Sequence, residues 1–182
     1  VCVIVPSQRR ADYWRDKAKL IISAQNILQG VDSIKKGSSG LYVFVNKYDG
    51  IDLPDSMCRL LVIDGLPDTR LNRDRVNESC LLGVGNEIAR NKIHKIEQGM
   101  GRGIRSSNDY CGVIIMGRPL TNILYGKQGY EYFSEATLRQ YNISQEVSAD
   151  LKHADINEIM ETLEACLQQN KEWVEISKGA LS

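Results

Sequence analysis

The sequence has no apolar run near the roughly 20 residues that a membrane-spanning helix requires. Runs such as Leu60-Leu61-Val62-Ile63 and Val113-Ile114-Ile115-Met116 are strand-sized. It also lacks a G-x-x-x-x-G-K-[ST] phosphate loop, because Gly126-Lys127 is followed by Gln128 and the first glycine is not at the required distance. H-E-x-x-H, G-x-S-x-G and zinc-type Cys/His spacings are missing too. His94 and His153, the two histidines present, have no Ser or Cys signature beside them and read as surface or structural residues. These absences exclude a self-contained hydrolase of the common kinds. Two glycine clusters, Leu82-Gly-Val-Gly-Asn86 and Gly99-Met-Gly-Arg-Gly103, follow helical sequence and do not complete G-x-G-x-x-G, which excludes a dinucleotide fingerprint. The five cysteines (Cys2, Cys58, Cys80, Cys111, Cys166) are odd in number, scattered and without a C-x-x-C pair. They are expected to be reduced core thiols rather than a disulfide frame or a metal site, and so to mark an intracellular protein. The chain starts with Val1 inside an apolar run, with no Met and no basic leader ahead of it, and is read as a fragment of a longer protein.

What is present fits one globular domain with a small appendage. The 182 residues are enough to bury a core, and 42% hydrophobic with 25% charged residues is an ordinary soluble composition. The net charge of zero hides an asymmetry. Residues 1–130 carry 19 Lys and Arg against 13 Asp and Glu, a net of +6, whereas residues 131–182 carry 4 against 10, a net of −6. A basic working part followed by an acidic tail is one reading; two differently solvated faces of one domain is the other.

Val1 to Val5 is an aliphatic run ending at Pro6-Ser7, and Gln8 to Lys19 has a period near 3.6. The pattern predicts a buried strand, a short turn and a helix. Leu20 to Ser23 is a second short strand, and Asn26 to Lys36 a helix closed by Gly37. Gly40 to Val45, Arg59 to Ile63 and Cys111 to Met116 are further strands. A polar-helical stretch lies between Asp68 and Gly101, with Ile88, Ile93 and Ile96 on one face. Alternating strands and helices predict an α/β fold with a mostly parallel sheet. After Pro119 the pattern is helical, and Asp155 to Lys171 is the clearest amphipathic helix, with Ile156, Ile159, Met160, Leu163, Cys166 and Leu167 at i, i+3, i+4 spacing.

One segment carries chemistry. In Gln98-Gly-Met-Gly-Arg-Gly-Ile-Arg105, two arginines three apart can project from one face while the glycines admit a backbone or a phosphate closely. The planar, permanently charged guanidinium suits such a phosphate clamp. This Q-x-x-G-R-x-I-R resembles motif VI of superfamily 2 helicases, most closely the XPD/DinG-type branch. Val3-Ile-Val-Pro-Ser7 resembles motif IV, and Val45-Asn-Lys-Tyr-Asp-Gly-Ile-Asp-Leu-Pro54 resembles motif V, in the same order. Tyr48-Asp49 stands where Ser-Glu commonly precedes Gly-Ile-Asp, and Met116-Gly117-Arg118 where Asp-x-Arg often ends the next strand.

The resemblance covers residues 1 to about 118 and implies the second RecA-like lobe, a three-layer P-loop-NTPase-like parallel sheet flanked by helices, without the lobe that carries the Walker A and B motifs. The charge split sets the expected boundaries, 1–130 for the lobe and 131–182 for an acidic helical tail packed on it, with the Ile156/Leu163 stripe buried there or against the missing lobe. ATP with Mg²⁺ would bind between this lobe and an N-terminal lobe that supplies the metal ligands. Arg105 would be the arginine finger, Arg102 its γ-phosphate companion, and Gln98 would position motif VI or the attacking water. Gly50 and Gly101 would let the nucleotide approach, and Asp52 would accept hydrogen bonds from the ribose or motif VI. Ser7, Asn46 and Lys47 would contact single-strand phosphates, DNA by preference. Each has a plainer reading: Ser7 as a helix N-cap, Asp52 as a turn residue, Tyr48 as a packed rather than a base-stacking ring, and the arginines as a solvated pair. No metal ligand is assigned, and iron–sulfur cysteines of that branch lie in the other lobe. The fragment alone is expected not to hydrolyse ATP. An inactive nucleic-acid-binding module and a phage-defence or restriction duplex translocase are the alternatives.

Overall fold

The computed structural model describes residues 1–37, 39–48, 57–67, 85–101, 110–126, 129–171 and 173–175, with side chains of 85–88 and 126 excluded. Five strands, β1 (Cys2–Val5), β2 (Leu20–Ile22), β3 (Tyr42–Val45), β4 (Leu60–Asp64) and β5 (Gly112–Met116), form one sheet in the order β2-β3-β1-β4-β5. Every pairing is parallel. The inner strands β1 and β3 and most of β4 read as unbroken aliphatic runs because both faces are covered, the rule for parallel sheets, whereas Ile114 and Met116 of the edge strand β5 are exposed. β1 is central, with Ile4 level with Phe44 on one side and Ile63 on the other.

Alternation sends the two sets of side chains to opposite layers. Val3, Val5, Val43, Val45 and Val62 form one core cluster with Ala11, against which Trp14, Ala18 and Ile21 pack. Ala11 belongs to α1 (Gln8–Ala11), so this helix covers that face. On the other face lie Ile4, Phe44, Leu61 and Ile63, met by α2 (Ile27–Lys35) through Ile22 and by α3 (Gly85–Met100), whose Ile93 and Ile96 are fully buried. Each such isoleucine contributes about 1.5–3 kcal/mol of apolar burial. Helices on both faces of a parallel sheet make the three-layer RecA-like α/β architecture.

Gly30 marks how closely α2 approaches the sheet: a Cβ there would lie 2.5 Å from Ile22 Cδ1 and 2.6 Å from its Cγ1. Ile22 is fully buried and has nowhere to move. Gly30→Ala is therefore expected to lower stability by about 1–3 kcal/mol through overpacking, against the usual benefit of alanine in a helix. Urea unfolding of the two proteins measures it.

The segment expected as a helix from Gln8 to Lys19 is shorter. α1 ends at Ala11, passes into a 3₁₀ turn over Asp12–Trp14, and Trp14 C=O accepts from Lys17 and Ala18 N–H at 3.0 and 2.7 Å. Lys19 N–H already donates to Leu41 C=O at 2.8 Å, so the chain must turn early to enter β2. Long-range pairing overrides the local period here. The 68–84 part of the polar-helical stretch lies outside the described residues.

The chain divides into two compact units, Val1–Gly129 and Tyr130–Ser182. The first unit includes α4 (Arg118–Thr121), and the second holds α5 (Glu135–Asp150) and α6 (Ile156–Leu167). Ser134 caps α5, and Tyr130 stacks on Tyr141 at 5.3 Å. α6 opens with a capping box: Asp155 accepts from Asn157 and Glu158 N–H, and Glu158 accepts from Asp155 N–H. Those two N–H bonds hold the Asp155 carboxyl below its usual range. On α6, Ile156 is 68% exposed and Ile159 and Met160 are exposed, whereas Leu163, Cys166 and Leu167 are half-buried. Among the described residues no helix is long and apolar enough to cross a membrane.

Candidate functional site

In a parallel sheet all strands finish at one edge, and ligands bind outside those carboxyl ends. Ser7 follows β1 directly. It is the N-cap of α1, its hydroxyl oxygen accepting from Arg10 N–H at 3.3 Å. The plainer reading of Ser7 is thus realised, yet accepting this bond leaves the hydroxyl proton able to donate to a phosphate.

Asn46 follows β3 at the same edge. Its N–H donates to Val5 C=O at 2.6 Å, carrying the ladder one step beyond the strands, and its φ of +51° is one that Asn tolerates better than most side chains. Asn46 therefore has a conformational reason to be asparagine that the sequence did not disclose. Lys47 is half-buried beside it. Tyr48 is buried, and its hydroxyl donates to Gly65 C=O at 2.9 Å. Burial, then the nearby Asp64 charge, pushes its phenol up. Tyr48 packs; it does not offer its ring to a base.

α3 brings the start of the glycine-arginine segment to this edge. Gly99 is buried there, and a Cβ on it would lie 3.5 Å from Tyr48 Cδ1, 3.6 Å from Ile4 Cδ1 and 3.7 Å from Ile63 Cδ1. The three stretches thought to act together are thus in contact at the ends of β1, β3 and β4. Gln98 and Gly101 are exposed on the last turn of that helix. A Cβ at Gly101 would meet nothing nearer than Glu97 C=O at 3.6 Å, so no group within the described chain requires glycine there. Arg102, Arg105, Gly50 and Asp52 lie outside the described residues.

One feature of this edge was missed from sequence. Asp64, the last residue of β4, is 1% exposed and accepts from Arg10 Nε and Nη2 at 2.8 Å each and from Trp14 Nε1 at 2.9 Å. A fork pairing of this kind fixes both partners. The bond to Asp64 raises the Arg10 guanidinium further above its ordinary value. Tyr13, exposed, lies with its ring centroid 4.8 Å from the Arg10 guanidinium carbon. The sequence signal was there: an acid closing an aliphatic strand needs a partner, and Arg10 and Trp14 stand one turn apart. Next to it, Gly65 and Gly117 have φ of +107° and +103°, and Gly65 N–H donates to Met116 C=O at 3.0 Å. A Cβ on Gly117 would lie 3.2 Å from Gly65 N, so β4 and β5 can end side by side only with glycine there.

His94 and His153 are exposed, and among the described residues no group of three His, Cys, Asp or Glu could hold a metal. The family described as helicase C-terminal domain matches residues 14–136, well over half the chain, and is compatible with the XPD/DinG-type branch. The match begins after Ser7, so the motif IV resemblance rests on its own residues and on the central place of β1. A search of curated proteins finds no match. The chain belongs to the family of helicase C-terminal domains.

Proposed function

We propose that this domain is the second RecA-like lobe of an ATP-dependent superfamily 2 helicase or translocase that grips single-stranded nucleic acid, DNA by preference. The observation that carries this reading is the convergence of Ser7, Asn46 and Gln98–Gly101 on one sheet edge, with Gly99 against Tyr48, Ile4 and Ile63. The described part of the nucleotide side fits an ATP between two lobes, since Gln98 and Gly101 are exposed and open around the last turn of α3. A helix carboxyl end repels phosphate by its dipole, so the anion has to be held by the arginines that follow, Arg102 and Arg105. Bound ATP supplies the phosphoryl group whose loss drives lobe opening. Arg105 neutralises charge at that group, Arg102 supports it, Gln98 orients motif VI or water, and Gly50 and Asp52 line the nucleotide from the motif V turn. The partner N-terminal lobe supplies the phosphate loop and the Mg²⁺ ligands.

Ser7 and Lys47 separate the strand-binding role from the structural one. Ser7→Ala removes both cap and hydroxyl, at about 1 kcal/mol of stability, whereas Ser7→Gly removes the hydroxyl for only a few tenths. Both variants are expected to weaken single-strand binding by the full-length protein equally. Lys47→Ala is expected to reduce the salt dependence of binding by about one counterion. Equal affinities across the set would remove these residues from the grip.

The whole reading is tested by ATP hydrolysis of the full-length protein with and without single-stranded DNA at fixed salt. Turnover that rises with the strand supports a motor. A folded protein with no turnover on any nucleic acid would leave a static binding module.

A further inference from the structure

Three cysteines distant in sequence meet at the opposite edge of the sheet. Cys2 opens β1, Cys58 precedes β4 and Cys111 precedes β5. Strand register brings them together, since Leu60 is level with Gly112 and Cys2 with Leu61. Cys58 Sγ lies 4.0 Å from Cys111 Sγ, and Cys2 is close enough to Cys58 for each thiol to shift the other. The three are far apart in sequence but adjacent in the fold, while Cys80 lies outside the described residues. All four described cysteines are free.

The approach is braced by its neighbours. Gly112 N–H donates to Arg59 C=O at 2.9 Å, and Arg59 Nη1 donates to Tyr110 C=O at 2.9 Å with its guanidinium 4.0 Å from the Tyr110 ring centroid. The two sulfurs, 4.0 Å apart, have only to close to about 2.05 Å for a disulfide to form. Cys58 is buried and Cys111 partly exposed, which gives a small oxidant one open side.

We propose that Cys58 and Cys111 are a redox-modifiable pair that hydrogen peroxide converts to a disulfide, clipping the segment after motif V to the segment after motif VI. A thiolate of the pair attacks peroxide, forms a sulfenic acid and releases hydroxide, which combines with the proton that thiol gave up. The second thiol attacks the sulfenic sulfur and expels water. Two thiols are oxidised to one disulfide, and one peroxide is reduced to two waters. Hydrogen bonding with Cys111 and then Cys2 lowers the Cys58 thiol, while the contact with Cys58 raises those two. The bridge would enclose Gln98 to Arg105 in a covalent loop. It does not depend on the helicase reading.

The test is treatment with hydrogen peroxide, then alkylation and non-reducing peptide mapping by mass spectrometry. The expected result is a Cys58–Cys111 cross-linked peptide in monomeric protein, a loss of two alkylatable thiols, and reversal by dithiothreitol. Cys111→Ser, at a partly exposed position, is expected to fold and to abolish the bridge, and Cys2→Ser to retain it. A Cys2–Cys58 link, sulfinic acid without a bridge, or no thiol loss would each overturn the proposal.

Discussion

Replacing Arg105 by alanine in the full-length protein is expected to lower nucleic-acid-stimulated ATP hydrolysis by about 10³–10⁵-fold while ATP affinity stays largely intact. The reason is selective timing. A finger guanidinium meets charge that develops as the phosphoryl group departs, so its loss falls on turnover rather than on ground-state binding. Arg105→Lys keeps the charge but loses the planar fork and is expected to recover only part of the rate. Steady-state turnover beside equilibrium nucleotide binding distinguishes the cases. Retained turnover in the alanine variant would deny Arg105 this role, and equal losses of binding and turnover would make it a ground-state phosphate contact.

Arg10→Ala is expected to destabilise the folded domain by about 3 kcal/mol, the lower end for breaking one side of a buried ion pair. The low end applies because the Arg10 side chain is 36% exposed and water screens part of the pair, while Asp64 at 1% exposure cannot be rehydrated. Trp14 Nε1 alone would then hold a buried carboxylate that now accepts three bonds. Removing both charges at once, in Arg10→Met with Asp64→Leu, is expected to recover most of the loss, since an apolar pair leaves nothing unsatisfied. Urea unfolding of the single and double variants forms the cycle that measures the coupling. A double variant no better than Arg10→Ala would mean that the pair's packing, not its charge, holds this edge.

Much of the architecture was legible because it is periodic. The aliphatic runs at Val1–Val5 and Gly40–Val45 contain β1 and β3, Arg59–Ile63 covers β4 up to its last residue Asp64, and Gly37, at φ +73°, follows the second helix where glycine is favoured. The helix after Ser7 was overestimated, since the chain beyond it is already tied to Leu41, the residue just ahead of β3. Of the site, the order of the three motifs was readable, but the contact of Gly99 with Tyr48 depends on how α3 crosses the sheet. The pairing of Asp64 with Arg10 and the meeting of the thiols depend on long-range packing in the same way, although Asp64 itself left a signal at the end of its strand. Each joins residues more than 50 positions apart, as the Arg10–Asp64 separation of 54 and the Cys58–Cys111 separation of 53 show.

The central place of β1 also sets an order of events on the ribosome. Its backbone partners are Tyr42–Val45 and Leu61–Ile63, so β1, the earliest of these five strands in sequence, cannot pair on either side until dozens of later residues have emerged. Closing such distant parallel pairings is slow compared with local helix formation. Meanwhile Cys2 to Val5, apolar toward both faces, is a naked strand with two unpaired edges. Nascent chains stalled or cut before β4 would carry that strand half-covered, and a need for chaperone protection during synthesis is thus built into the topology.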